Sequence, residues 1–231
     1  MIDVTRNEKK YLISMATMMN IDSMLGIIMK EDENNGSNGY IVRSLYFDDL
    51  SDRDFEDKVD GLDNRQKIRL RIYDPNSNYC KLELKEKSGL NQRKRSLTVN
   101  KEQAYALINR DFSVLKNFKE PLAKWLYVFM TVNCYYPKCI VEYRRKAYIH
   151  DANNIRITFD TNIKATELSH DIFDDNLNLY PITSIGENTL EIKYDNFLFS
   201  HIKEIINDYN LFQLSNSKYC RARMISKKGR Y

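Results

Sequence analysis

Between Arg65 and Ile72 the chain reads RQKIRLRI, with cations at 65, 67, 69 and 71 and aliphatic residues at 68, 70 and 72. Successive side chains of a strand point to opposite faces, so as a strand this stretch has one apolar face and one face carrying four cations. Like charges set side by side repel. Either that face is solvated surface, or something strongly anionic lies in front of it.

The same parity recurs. Lys81, Glu83, Lys85 and Lys87 oppose Cys80, Leu82 and Leu84; Arg156, Thr158 and Asp160 oppose Ile155, Ile157 and Phe159. Glu191 and Lys193 oppose Leu190, Ile192 and Tyr194, and Arg6, Glu8 and Lys10 share a face. Over 140–149 the pattern is less clean: Arg145 shares parity with Val141, Tyr143 and Ala147, while Glu142, Arg144 and Lys146 take the other side. Any one such strand reads as half of a sheet that faces water. Taken together, the apolar faces need cover from helices, and helices outside turn the charged faces inward. Crowded inner cations are costly unless paired. A phosphate chain would neutralise them, because Arg matches phosphate oxygens bidentately. The few glutamates could hold a divalent cation, which prefers oxygen ligands.

Patterning along the chain predicts a strand over 4–14, a helix over 15–30 starting near Ser14 or Thr17, and a strand over 40–48. An acidic loop or short helix follows at 49–60. Strands at 65–73 and 79–87 form a hairpin around DPNSN, and 93–99 adds another strand. Asn100 caps a helix over 101–110, and a second helix spans 119–133. Strands return at 138–150, 155–161 and 188–195, a helix covers 197–208, and 217–225 reads as a late strand or extended tail. About eight strands with mostly short connections favour antiparallel pairing, and a closed barrel would leave no free edge. The expected fold is α+β: an antiparallel eight-stranded β-barrel with helices packed outside, one domain over 1–231.

Composition narrows the function. The 231 residues carry a net charge of +4, with 42% hydrophobic residues. Lys and Arg concentrate in 65–95, 138–146 and 218–230. Cys80, Cys134, Cys139 and Cys220 form no CxxC pair and read as reduced thiols of a cytoplasmic protein. No run of about 18 uncharged apolar residues offers a membrane span. His150, His170 and His201 are too scattered for a metal triad. Asp48, Asp49, Asp52, Asp54, Glu56 and Asp57 resemble a calcium loop only loosely, without its glycine, and read as a solvated loop. Met15, Met18, Met19, Met24 and Met29 read as helix core. No local Ser/His/Asp or Cys/His signature occurs, and none of the usual nucleic-acid motifs.

In order, RNEKKYLIS, VRSLYFDD, KIRLRIYD, KLELKEK, EYRRKAY, IRITFD, LEIKY and SKYCRA resemble the VTC domain, the polyphosphate polymerase domain of the CYTH-like triphosphate tunnel metalloenzymes. The resemblance runs from about residue 4 to 225. It implies a tunnel that binds a nucleoside triphosphate, with Mn²⁺ or Mg²⁺ as cofactor. By motif, the phosphate ligands are Lys10, Arg69, Arg71, Lys85, Lys94, Arg145, Arg156, Lys193 and Lys218. Lys94 lies in a basic segment between Arg93 and Arg95. The metal ligand is Glu191, assisted by Glu83, and the catalytic set is Arg69, Arg71, Lys85, Arg145, Arg156 and Glu191. The implied reaction transfers the γ-phosphoryl group of ATP onto inorganic polyphosphate or pyrophosphate. Family polymerases act beside membrane proteins, so a membrane-protein partner and a peripheral location belong to what the resemblance implies; a nucleic-acid partner does not. One departure stands out. Hydrolase and cyclase members begin with ExExK, whereas this chain has Arg6-x-Glu8-x-Lys10. That disfavours a triphosphatase, while a tripolyphosphatase or nucleoside triphosphatase and a non-catalytic polyphosphate-binding module stay open as alternatives.

Overall fold

The computed structural model describes residues 6–89, 91–215 and 217–228; the side chains of Arg6, Ser226 and Lys228 fall outside that description. Val4 and Thr5, expected in the first strand, also lie outside the described residues, as does the expected contribution of the Arg6 side chain. In chain order the elements are β1 (Arg6–Ile13), α1 (Met15–Ile28), β2 (Lys30–Glu31), β3 (Tyr40–Asp48), α2 (Arg53–Val59), β4 (Arg65–Ile72), β5 (Tyr79–Ser88), β6 (Asn91–Asn100), α3 (Lys101–Ile108) and α4 (Pro121–Val132). There follow β7 (Tyr136–His150), β8 (Ile155–Thr166), β9 (Tyr180–Pro181), β10 (Asn188–Asp195), α5 (Ser200–Asn207) and α6 (Lys218–Lys228). Short 3₁₀ segments occupy Phe112–Asn117 and Ala152–Asn154.

The chain divides into two compact units. The first comprises residues 1–41, 143–164 and 181–217; the second comprises 42–142, 165–180 and 218–231. In the first, β1 pairs with β10 and β10 with β8, both antiparallel. The short β2 pairs with β7. In the second, β3, β4, β5 and β6 pair in sequence order, again antiparallel.

Each unit buries the apolar face that the alternation defines. In the second, Ile68, Leu70 and Ile72 of β4 and Cys80, Leu82 and Leu84 of β5 are 3% exposed or less and pack with Ala104 and Leu107 of α3 and Leu126 and Met130 of α4. In the first, Ile155, Ile157 and Phe159 of β8 and Leu190 and Ile192 of β10 pack with Ile21 and Leu25 of α1 and Ile202 and Ile206 of α5. Each such side chain contributes about 1.5–3 kcal/mol when fully withdrawn from water. The helices start where local chemistry dictates. Ser14 accepts from the backbone N–H of Thr17, and Asn100 and Gln103 form a reciprocal capping box. Pro121 opens α4, where its missing N–H costs nothing.

Three expectations fail here. Residues 218–228 form a helix, not a strand or tail. Lys, Arg, Ala and Met are strong helix formers, and the buried positions Tyr219, Cys220 and Ala222 follow helical spacing. Of the methionines, Met29 is buried and Met18 packs against the core, but Met15, Met19 and Met24 are exposed, because Ile21 and Leu25 already fill the inner face of α1. The acidic run is no solvated loop: Asp48 is fully buried, Asp49 and Asp54 nearly so, and α2 begins within it. Among the described residues none of the four cysteines forms a disulfide. Among the described residues no helix is long and apolar enough to cross a membrane.

Candidate functional site

In the second unit the register sets the charged side chains in rows across β4, β5 and β6. Lys67 faces Lys85, which faces Lys94; Arg69 faces Glu83; Arg71 faces Lys81. Glu83, 2% exposed, sits at the centre. Arg69 reaches it with Nε at 2.8 Å and Nη2 at 2.7 Å, Lys94 Nζ at 2.5 Å, and Arg71 Nη1 at 3.8 Å. Burial pushes the Glu83 carboxyl up, but Arg69, Arg71 and Lys94 outweigh it and bring it down to about 2. Tyr46 of β3 accepts from Arg69 Nη1 at 3.1 Å, and Ser44 accepts from Arg71 Nε at 3.1 Å. Burial raises the Tyr46 phenol, yet Arg69, Arg71 and Lys67 together leave it lowered.

Behind Tyr46 stands α6. Its Tyr219 stacks on Tyr46 at 5.0 Å between ring centroids and donates to Asp48 Oδ2 at 2.6 Å. Asp48 also accepts from the backbone N–H groups of Asp49, Asp54 and Phe55. Asp52 pairs with Lys138 at 2.6 Å and Arg223 at 2.8 Å. Asp54 differs: it is 1% exposed, and its carboxyl faces the Tyr135 hydroxyl and the neighbouring Asp48 rather than a cation. Burial, then the neighbouring Asp48, pushes its carboxyl up to about 8. Lys218 opens α6.

In the first unit, β1 and β10 form a charged lattice, with Lys10 opposite Glu191 and Glu8 opposite Lys193. Lys10 Nζ lies 2.8 Å from Glu8 Oε1 and 3.1 Å from Glu191 Oε2, and Lys193 pairs with Glu191 from the other side. Burial opposes the charge on both lysines. The two carboxylates beside Lys10 overcome it and raise that ammonium, while Lys193, which also faces Arg145, stays lowered. Arg145 grips Asp160 with Nε at 2.7 Å and Nη2 at 2.8 Å, and Arg156 bonds Asp32 and Tyr40. Lys146 points the other way, to Asp22 and Glu31 of α1 and β2, which resolves the ambiguous parity of this strand in favour of Arg145.

The structure thus brings Lys10, Glu191, Lys193, Arg145 and Arg156 together in one unit, and Arg69, Arg71, Glu83, Lys85 and Lys94 in the other. Sequence reasoning passed over Glu8 as a partner of Glu191, although its place two residues before Lys10 carried the signal. Asp160 was visible only as a face member, and Asp32, Tyr40 and Tyr46 carried no motif. Among the described residues no group of three or more His, Cys, Asp or Glu side chains could hold a metal alone. Glu8 and Glu191 are the carboxylates that would hold a divalent cation, which prefers oxygen ligands.

Fold and charge pattern define the class: an α+β protein whose antiparallel strands carry helices on their apolar faces and rows of charged side chains on the other. The chain belongs to the VTC domain family, whose profile matches residues 5–227. Solved structures it is similar to include a "putative adenylate cyclase" from Bacillus halodurans, at 14% identity and a TM-score of 0.54 over 92% of this chain and 95% of that one. Another so described, from Vibrio parahaemolyticus, has 10% identity and a TM-score of 0.48 over 92% and 94%. A protein from Pyrococcus horikoshii has 12% identity and a TM-score of 0.46 over 96% and 99%. The first of these likenesses shows the fold, the antiparallel α+β type expected from the alternation. No curated protein matches the chain.

Proposed function

We propose that this chain is an ATP-dependent polyphosphate polymerase, which transfers the γ-phosphoryl group of ATP onto an inorganic phosphate chain. The observation that carries this reading is the gathering of positive charge around Glu83: Arg69, Arg71 and Lys94 all reach its carboxylate, and Arg71 and Glu83 are themselves buried. A buried gathering of that kind is stable only beside an anion. Arg69, Arg71, Lys85 and Lys94 bind phosphate in the second unit, and Lys10, Arg145, Arg156 and Lys193 do so in the first. Lys218 guides the growing chain.

The acceptor is already an anionic oxygen, so no residue has to remove a proton from it. Positioning and charge neutralisation carry an in-line displacement. Arg69 and Arg71 offer fixed donors to the donor phosphates, and Arg145 and Arg156 hold the transferring group. Glu191, with Glu8 beside it, would hold Mn²⁺ or Mg²⁺; Glu83 assists by setting the charge of its three partners. The metal would supply further neutralisation of the phosphate oxygens. A second reading, a metal-dependent tripolyphosphatase, draws support from the Glu8 and Glu191 pair, because two carboxylates can organise a metal-bound water.

Electrophoresis of the products formed from ATP and Mn²⁺ tests both. The expected result is ADP plus chains longer than pyrophosphate, with a lag shortened by a short primer. Free orthophosphate alone identifies a hydrolase. Absence of ADP leaves a binding module.

A further inference from the structure

The stretch DENNGSNG, residues 32–39, carries no motif and joins β2 to β3. It is nonetheless tied to Arg145 and Arg156 of the first unit. Asp32 is 7% exposed and locked in place: its Oδ1 accepts from the backbone N–H of Asn34 at 2.9 Å and from the Asn34 amide at 2.7 Å. Its Oδ2 takes Arg156 Nη1 at 2.6 Å. Tyr40, just past the stretch, accepts from Arg156 Nη2 at 3.0 Å. The loop is then stitched to β7. The Asn35 amide donates to the Ala147 carbonyl at 2.8 Å and its oxygen accepts from the Ala147 N–H at 3.1 Å, while the Asp32 N–H donates to the same carbonyl at 2.9 Å. Two residues away, Gly39 at φ +75° lies so close that a Cβ there would meet the Arg145 carbonyl oxygen at 2.2 Å and its carbon at 2.7 Å. Only glycine permits both that backbone angle and that approach.

We propose that residues 32–40 form a positioning loop for Arg145 and Arg156, with Asp32 and Tyr40 aiming the Arg156 guanidinium at phosphate. The inference rests on the reading of these arginines as phosphate ligands. A guanidinium has five N–H donors. Asp32 and Tyr40 engage one on each terminal nitrogen, so the group is aimed and not consumed. Arg145 is treated likewise from β8, where Asp160 engages Nε and Nη2. A long side chain ordered before the ligand arrives does not lose that freedom on binding, and the affinity is higher for it. The opposite electrostatic outcome is also definite: if Asp32 acted only as a competing charge, removing it would tighten phosphate binding.

Calorimetric titration of metal-free protein with tripolyphosphate decides the matter, using Asp32→Asn, Tyr40→Phe, Arg156→Ala and the double variants. Melting temperatures without ligand report folding. Arg156→Ala is expected to weaken binding, and Asp32→Asn to weaken it about five- to tenfold, the size of coupling usual between contacting residues. Tyr40→Phe has a smaller effect of the same sign. In the Arg156→Ala background both substitutions should add nothing, which a general structural role would not produce. Equal losses in both backgrounds, or unchanged or tighter binding by Asp32→Asn, overturn the positioning loop while leaving the phosphate reading intact. A wild-type chain that binds no tripolyphosphate overturns both, and is recognised by the absence of any Arg156 effect.

Discussion

The two units answer the problem of crowded cations differently. In the first, each candidate cation faces a carboxylate: Lys10 has Glu8 and Glu191, Lys193 has Glu191, Arg145 has Asp160 and Arg156 has Asp32. In the second, Arg69, Arg71 and Lys94 all converge on the single carboxylate of Glu83. A balanced lattice holds its shape without ligand and keeps carboxylates on offer to a cation. A gathering of cations is tense until an anion arrives. The same residue types therefore sit in two charge environments, told apart by the ratio of carboxylates to cations.

The largest expected effect comes from Glu83→Gln. Removing this carboxylate from its three cations should cost about 3–5 kcal/mol of stability, because the Arg71 charge left behind stays buried. Tripolyphosphate should restore part of the loss in a denaturant titration; no restoration would mean that the second unit does not bind phosphate. Glu191→Gln should behave in the contrary way, since Lys10 keeps Glu8. Its melting temperature should fall less than that of Glu83→Gln, because Lys193 loses its carboxylate partner but Lys10 does not, while Mn²⁺-dependent turnover falls by about 10²–10³-fold, the scale for losing stabilisation of developing charge. Normal turnover at low metal would reduce Glu191 to an ion-pair partner and erase the contrast between the units.

Asp54→Asn should stabilise the protein where Asp54 would otherwise ionise, because a buried charge is removed while a neutral group remains. The sign follows from the proton. In the fold Asp54 keeps it up to about pH 8, whereas an ordinary aspartate loses it near 3.8. Stability conferred by this site therefore falls as pH rises between those values and then levels off. Melting curves of wild type and variant should converge near pH 4 and differ most at pH 8 and above. The smallest effect concerns Lys193. Burial lowers its pKa while Lys10 is raised, so Lys193 loses its charge first as pH rises. Tripolyphosphate affinity should drop about fivefold through that titration, the worth of one partly solvated charge, and Lys193→Met should abolish the pH dependence.

Much of this arrangement was legible because strands announce themselves. The alternation in β4 and β5 assigned each residue to the face on which it is found, and β10 begins and ends where LEIKY and its neighbours placed it. What failed to show was whatever depends on distant partners. Asp48 and Asp54 looked solvated because nothing local says that α6 and Tyr135 close over them. Asp32 and Tyr40 carried no motif because their partner, Arg156, is 116 residues beyond Tyr40. The helix α6 was misread because its few buried residues sit among charges, so neither period dominates the short stretch.

That last helix has a consequence for the order of events in folding. Asp48 meets Tyr219, Asp52 meets Arg223 and Glu56 meets Lys227, each across 171 positions of chain. The second unit is interrupted twice by segments of the first, so it cannot be completed in the order in which it is synthesised. Its sheet can form early from neighbouring hairpins, but the acidic turn must wait for cations that arrive last. Non-local closure of this kind slows folding far more than it weakens the finished structure. Docking of α6 is therefore expected as the slow step of refolding, and a chain halted before residue 218 would hold β3 to β6 together around carboxylates that still lack their partners.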